Sequence, residues 1–77
     1  MGMATQNPLR DKDYLLGKRI QHLRIKRGMT QERLAEEAKV SITHLSMIES
    51  GKNAPSLKLV YKIADVLDVK VEGLFKF

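Results

Sequence analysis

In residues 30–51, TQERLAEEAKVSITHLSMIESG, small and apolar side chains recur at the spacing of two short helices that cross steeply. Leu34 and Ala38 lie one helical turn apart on the first helix. Ala35 is small where a bulkier side chain would push the second helix away. Val40 falls in the connection, and Leu45 and Ile48 line the inner face of the second helix. Thr30 and Ser41 stand where a side-chain oxygen accepts from a backbone N–H at the start of a helix. The first helix is predicted to end near Ala38 and the second near Ser50, with Gly51 as its terminator.

The flanking segments extend the pattern. Residues 1–12 are polar, contain Pro8 and read as a flexible arm. Residues 13–27 form a helix with Leu16, Ile20 and Leu23 on one apolar stripe, and Ile25 falls off it. Gly28 fits a left-handed residue closing that helix, after the cations Arg24, Lys26 and Arg27. Lys18 and Arg19 read as solvated. Ser56 caps a further helix with Leu57, Val60, Ile63, Ala64 and Leu67 as its stripe. Residues 71–75 make a last helical turn. No strand alternation is visible, so the fold class is all-α: a compact bundle of about five short helices, as one domain over residues 13–77.

A chain of 77 residues buries a small core, and such domains commonly gain stability by dimerising. Cysteine is absent and the two histidines, His22 and His44, cannot build a metal site alone, so no metal or cofactor is expected. There is no apolar run of membrane-spanning length and no signal-peptide pattern, which makes a soluble cytoplasmic protein the expectation. No metalloprotease motif, glycine-rich phosphate loop or cysteine nucleophile is present, so catalysis is not expected. Formal net charge is +5, which favours polyanionic partners. The charge is unevenly placed. Residues 29–50 carry Arg33 and Lys39 against Glu32, Glu36, Glu37 and Glu49, so the basic excess flanks the paired helices.

The paired helices are a helix-turn-helix, whose second helix is commonly laid into the major groove of DNA. Three segments in combination, RGMTQERLA, SITHLSMIESGK and PSLKLVYKIADVLDV, resemble the Cro/C1-type (Xre) helix-turn-helix domain of phage repressors and small bacterial regulators. The resemblance covers roughly residues 14–75. It implies a lambda-repressor-like fold and a sequence-specific regulator of transcription that binds double-stranded DNA, a repressor by default and autoregulatory in the simplest case. The family usually has glycine where Lys39 stands, and serine or threonine where Lys70 stands.

With Leu45 and Ile48 turned inward, the outward positions of the recognition helix are Ile42, Thr43, His44, Ser46 and Met47. The resemblance puts the family's base-reading positions on the same residues. Thr43 can hydrogen-bond a base and touch a thymine methyl, and Ile42 and Met47 suit thymine methyls. No Arg, Asn or Gln lies on this face, so bidentate pairing with guanine or adenine is missing from it.

Phosphate contacts are expected from Gln31 at the start of its helix and from Ser50, Lys52 and Asn53 in the loop after the recognition helix. The resemblance adds Arg24, which in the family packs behind the recognition helix, pairs with the residue that is Glu49 here, and faces a phosphate. It also puts a homodimer contact in the C-terminal segment, where Val71, Leu74 and Phe77 are apolar beyond the needs of the preceding helix. Three other readings share the fold. They are an antitoxin that also binds a protein partner, the controller of a restriction–modification operon, and a protein-interaction module that has lost DNA binding.

Overall fold

The computed structural model describes the backbone of residues 8–77 and the side chains from residue 12 onward. Helices α1 (Pro8–Lys26), α2 (Gln31–Ala38), α3 (Ile42–Glu49) and α4 (Leu57–Leu67) are followed by a 3₁₀ turn, Val71–Phe75. The bundle is therefore four α-helices and one tighter turn, and among the described residues there is no strand. Helix α1 starts at Pro8, so residues 8–12 belong to the helix and not to the arm expected there. Proline suits a first helical turn, because the N–H it lacks would be unpaired there anyway. Residues 1–7, the rest of that arm, lie outside the described residues.

Local chemistry sets the helix starts. The Thr30 hydroxyl accepts from the Arg33 N–H at 3.0 Å, Ser41 from His44 at 3.0 Å and Ser56 from Leu59 at 3.2 Å. Such a cap is worth about 1 kcal/mol. Lys70 makes no capping hydrogen bond.

All four α-helices end alike. A carbonyl in the last turn accepts from the N–H five residues on: Arg24 from Met29, Ala35 from Val40, Met47 from Lys52 and Ala64 from Val69, each at 2.9–3.0 Å. The residue before each donor has positive φ: Gly28 (71°), Lys39 (60°), Gly51 (82°) and Asp68 (57°). Glycine adopts this conformation freely, whereas Lys39 and Asp68 hold it at a cost of about 1 kcal/mol each.

The core is built from Leu16, Ile20 and Leu23 of α1, Leu34, Ala35 and Ala38 of α2, Leu45 and Ile48 of α3, and Leu59, Val60, Ile63, Ala64 and Leu67 of α4. The stripe predicted for α4 is shifted at its start. Leu57 is exposed and Leu59 is buried, because Leu59 lies one turn before Ile63 on the face that meets α2. Leu74 of the 3₁₀ turn is wholly buried between α1 and α4.

Two arginines, Arg19 of α1 and Arg27 just after it, tie this end of the molecule together. Arg19 Nε donates to the Gly73 carbonyl at 2.9 Å, and Arg27 Nη1 to the Leu67 carbonyl at 3.1 Å. Arg19 is thus half-buried and structural, contrary to the solvated role expected for it. Lys18 is exposed, as expected, with its ammonium 5.7 Å from the Tyr14 ring.

Candidate nucleic-acid interface

Helix α3 has two distinct faces. Leu45, Ile48 and Glu49 are buried, while Ile42, Thr43, His44, Ser46 and Met47 are all exposed. Ile42 keeps 43% of its surface and Met47 37%, so neither large apolar side chain is spent on the core. The structure brings together on one surface the five positions expected to meet base edges. The Ser41 cap engages the His44 N–H and leaves the Ile42 and Thr43 N–H groups, at the positive end of the helix, without an intrahelical partner.

A buried polar cluster holds this face in place. Arg24 of α1 donates to Glu49 of α3 through Nε at 2.8 Å and Nη2 at 3.1 Å. Its Nη1 donates to the Met29 carbonyl at 2.8 Å. Gln31 of α2 adds a bond from Nε2 to Glu49 Oε1 at 2.9 Å. One carboxylate therefore joins α1, α2 and α3. Among the described residues no buried side-chain nitrogen or oxygen lacks a partner, so this network is complete. An acid on a DNA-facing helix would repel phosphate if exposed; Glu49 is buried and neutralised.

Two residues expected at phosphates, Arg24 and Gln31, belong to this cluster. Arg24 is buried, and its guanidinium is bound by Glu49 and by the Met29 carbonyl, so it braces the back of α3 as the expected pairing requires. The Gln31 side chain turns its amide nitrogen to Glu49, and Gln31 is the first residue of α2.

Ser50, Lys52 and Asn53 are exposed in the loop after α3. Ser50 Oγ donates back to the Met47 carbonyl at 3.1 Å, and Asn53 Nδ2 lies 3.8 Å from the Met47 sulfur. The loop is seated on α1 at Gly51, where a β-carbon would come within 2.8 Å of the Tyr14 Cα. On the far side of α2, Arg33 hydrogen-bonds Glu37. That bond, and then the charge of Glu37, raise the Arg33 guanidinium further above its ordinary pKa.

Of the residues expected at a homodimer contact, Leu74 is in the core and unavailable. Full burial of a leucine contributes about 1.5–3 kcal/mol within the single chain. Val71 is half-buried against the core. Phe77 is exposed, as is Phe75, with ring centroids 6.3 Å apart.

Sequence reasoning missed Gly17 altogether. It is buried where α1 passes the last carbonyls of α3. The available signal was a glycine within a helical run, which is unfavourable unless another backbone comes close.

The helix-turn-helix family model HTH_3 matches residues 20–74. An uncharacterized HTH-type transcriptional regulator of Archaeoglobus fulgidus is 48% identical over 59 residues, 77% of this chain and 84% of that protein. The HTH-type transcriptional regulator SinR of Bacillus subtilis is 38% identical over 61 residues, 78% of this chain and 55% of SinR. Among solved structures, the restriction-modification controller protein C.AhdI from Aeromonas hydrophila matches with a TM-score of 0.80 at 30% identity, over 82% of this chain and 96% of that one. The chain belongs to the Cro/C1-type helix-turn-helix family and is a DNA-binding regulator of transcription. Among the described residues no helix is long and apolar enough to cross a membrane.

Proposed function

We propose that this protein is a sequence-specific repressor that binds an operator as a homodimer and inserts α3 into the major groove. The observation that carries this reading is the exposed face of Ile42, Thr43, His44, Ser46 and Met47 on a helix whose other face is fixed by Glu49 to α1 and α2. One such helix reads only a few base pairs, so useful specificity calls for two copies on half-sites one helical turn apart. Val71 and Phe77, joined by exposed Phe75, are the surface assigned to the partner copy. Ser50, Lys52, Asn53 and the backbone N–H of Gln31 contact phosphates. On this reading the protein works in the cytoplasm and performs no catalysis. Occlusion of a promoter needs nothing beyond binding, so repression, including that of its own gene, is the direct consequence.

A second reading is a controller of a restriction–modification operon. It is supported by the match to C.AhdI, which this chain covers over nearly its whole length. Mapping bound sites on the source genome separates the two: sites upstream of a methyltransferase or endonuclease gene favour the controller.

The test of the main reading is fluorescence anisotropy with the protein's own upstream DNA and with unrelated DNA, at two salt concentrations. Tight, salt-sensitive binding that prefers the upstream fragment is the expected result. Equal weak binding to both would contradict sequence-specific repression, and an absence of binding at low salt would favour a protein-interaction module.

A further inference from the structure

Beside α3, on the side toward α4, an open cleft of about 210 Å³ lies between the α2–α3 turn and the first turns of α4. Lys39, His44, Ser56, Lys58 and Lys62 line it, over an apolar floor that includes Leu59. Lys58 and Lys62 are four residues apart on one helix and so share a face. Among the described residues no acidic side chain lines the cleft. Among the described residues, none of these three lysines has a carboxylate within ion-pair distance. Three lysines at one cleft gather positive charge there, which an anion would offset.

Lys39 closes α2 in a conformation that makes it a useful site for a test. Its φ of 60° belongs to a conformation that glycine adopts without strain. The other non-glycine residue in this conformation, Asp68, sets its carboxylate 3.6 Å from Arg27. Among the described residues Lys39 has no such partner, and it is one of the residues lining the cleft.

We propose that this cleft binds a phosphate group, held by Lys39, Lys58 and Lys62. The inference rests on the DNA-binding reading. His44 belongs both to the cleft and to the exposed face of α3, so a duplex lying against α3 carries its backbone past the three lysines. The same chemistry accepts the phosphate of a free phosphorylated small molecule. A water occupies about 30 Å³, so there is room for one phosphate with part of its hydration shell.

The experiment measures DNA affinity by anisotropy across a salt series for the wild type, Lys39→Gly, and the double variant Lys58→Gln/Lys62→Gln. Lys39→Gly is expected to raise the melting temperature by about 4 °C or more, since it relieves the backbone. It is expected at the same time to weaken DNA binding roughly 3- to 10-fold and to lower the slope of log affinity against log salt by about 0.9. A residue with only a structural role would not lose affinity while gaining stability. The double variant should lower the slope in the same way with its melting temperature unchanged.

A parallel NMR titration with inorganic phosphate and tripolyphosphate distinguishes the source. Amide shifts at Lys39 and Lys58 that disappear in the double variant, with DNA slopes unchanged, assign the cleft to a free phosphate. Unchanged slopes and no phosphate-induced shifts overturn the proposal, while salt-sensitive wild-type binding leaves the DNA reading standing. If the wild type does not bind DNA, the DNA reading fails and the phosphate titration alone decides the cleft.

Discussion

Gly17 of α1 faces the carbonyl oxygen of Ile48 so closely that a β-carbon at residue 17 would lie 2.2 Å from that oxygen. The clash is with backbone, which has no rotamer to move aside. Gly17→Ala should therefore displace α3 from α1 and destabilise the protein by about 3 kcal/mol or more. Gly28→Ala is the control. It has open space around the added carbon but a φ of +71°, so only the conformational cost of about 1 kcal/mol applies. Thermal melts of both variants check this, with a drop of roughly 4–8 °C expected for Gly28→Ala and a much larger loss for Gly17→Ala.

The Arg24–Glu49 pair makes a prediction about coupling. Arg24→Met strands a buried carboxylate that keeps only its Gln31 bond, and Glu49→Leu strands a buried guanidinium. Each single change should cost about 3–5 kcal/mol, whereas the double change should cost much less than the sum. Urea denaturation of the four proteins gives the cycle. Additive losses would mean that the pair contributes no more than its separate packing.

The N-caps differ in a way that can be measured. Ser41→Ala removes the acceptor for the His44 N–H and should cost about 1 kcal/mol. Lys70→Ser supplies a hydroxyl where the 3₁₀ turn has no side-chain cap, and should gain up to about 1 kcal/mol. A stability loss on Lys70→Ser, read from urea midpoints, would show that this turn does not use a cap.

How far the sequence anticipates these features depends on how local their causes are. Thr30, Ser41, Ser56, Gly28 and Gly51 act through backbone groups a few residues away, and each falls where a helix was expected to start or stop. The outward face of α3 is equally local, since helical periodicity alone separates Met47 from Ile48. The features that were missed depend on partners distant in sequence. Arg19 meets Gly73, Gly17 meets Ile48, and Leu74 enters the core between α1 and α4. Periodicity cannot tell an apolar residue that closes the core from one that waits for a partner copy. Leu57 shows the same limit, because an apolar residue at a helix start is equally compatible with either face.

Base preference follows from the side chains on α3. Ile42 and Met47 are exposed and apolar, and no arginine, asparagine or glutamine shares their face. Sites selected from random DNA should therefore carry A·T pairs opposite these two residues, where thymine methyls offer apolar contact. A consensus dominated by G·C at those positions would refute this assignment.

The most direct test of the central claim, that the exposed face of α3 reads base edges, is the affinity of Thr43→Ala/Met47→Ala for the selected site and for unrelated DNA at one salt concentration. Both residues are exposed, so the melting temperature should hold. Losing recognition of one base pair costs about 1–3 kcal/mol, so affinity for the selected site should fall roughly 10-fold while affinity for unrelated DNA stays the same. Unchanged affinity for the selected site, or an equal loss on both DNAs, would contradict the claim.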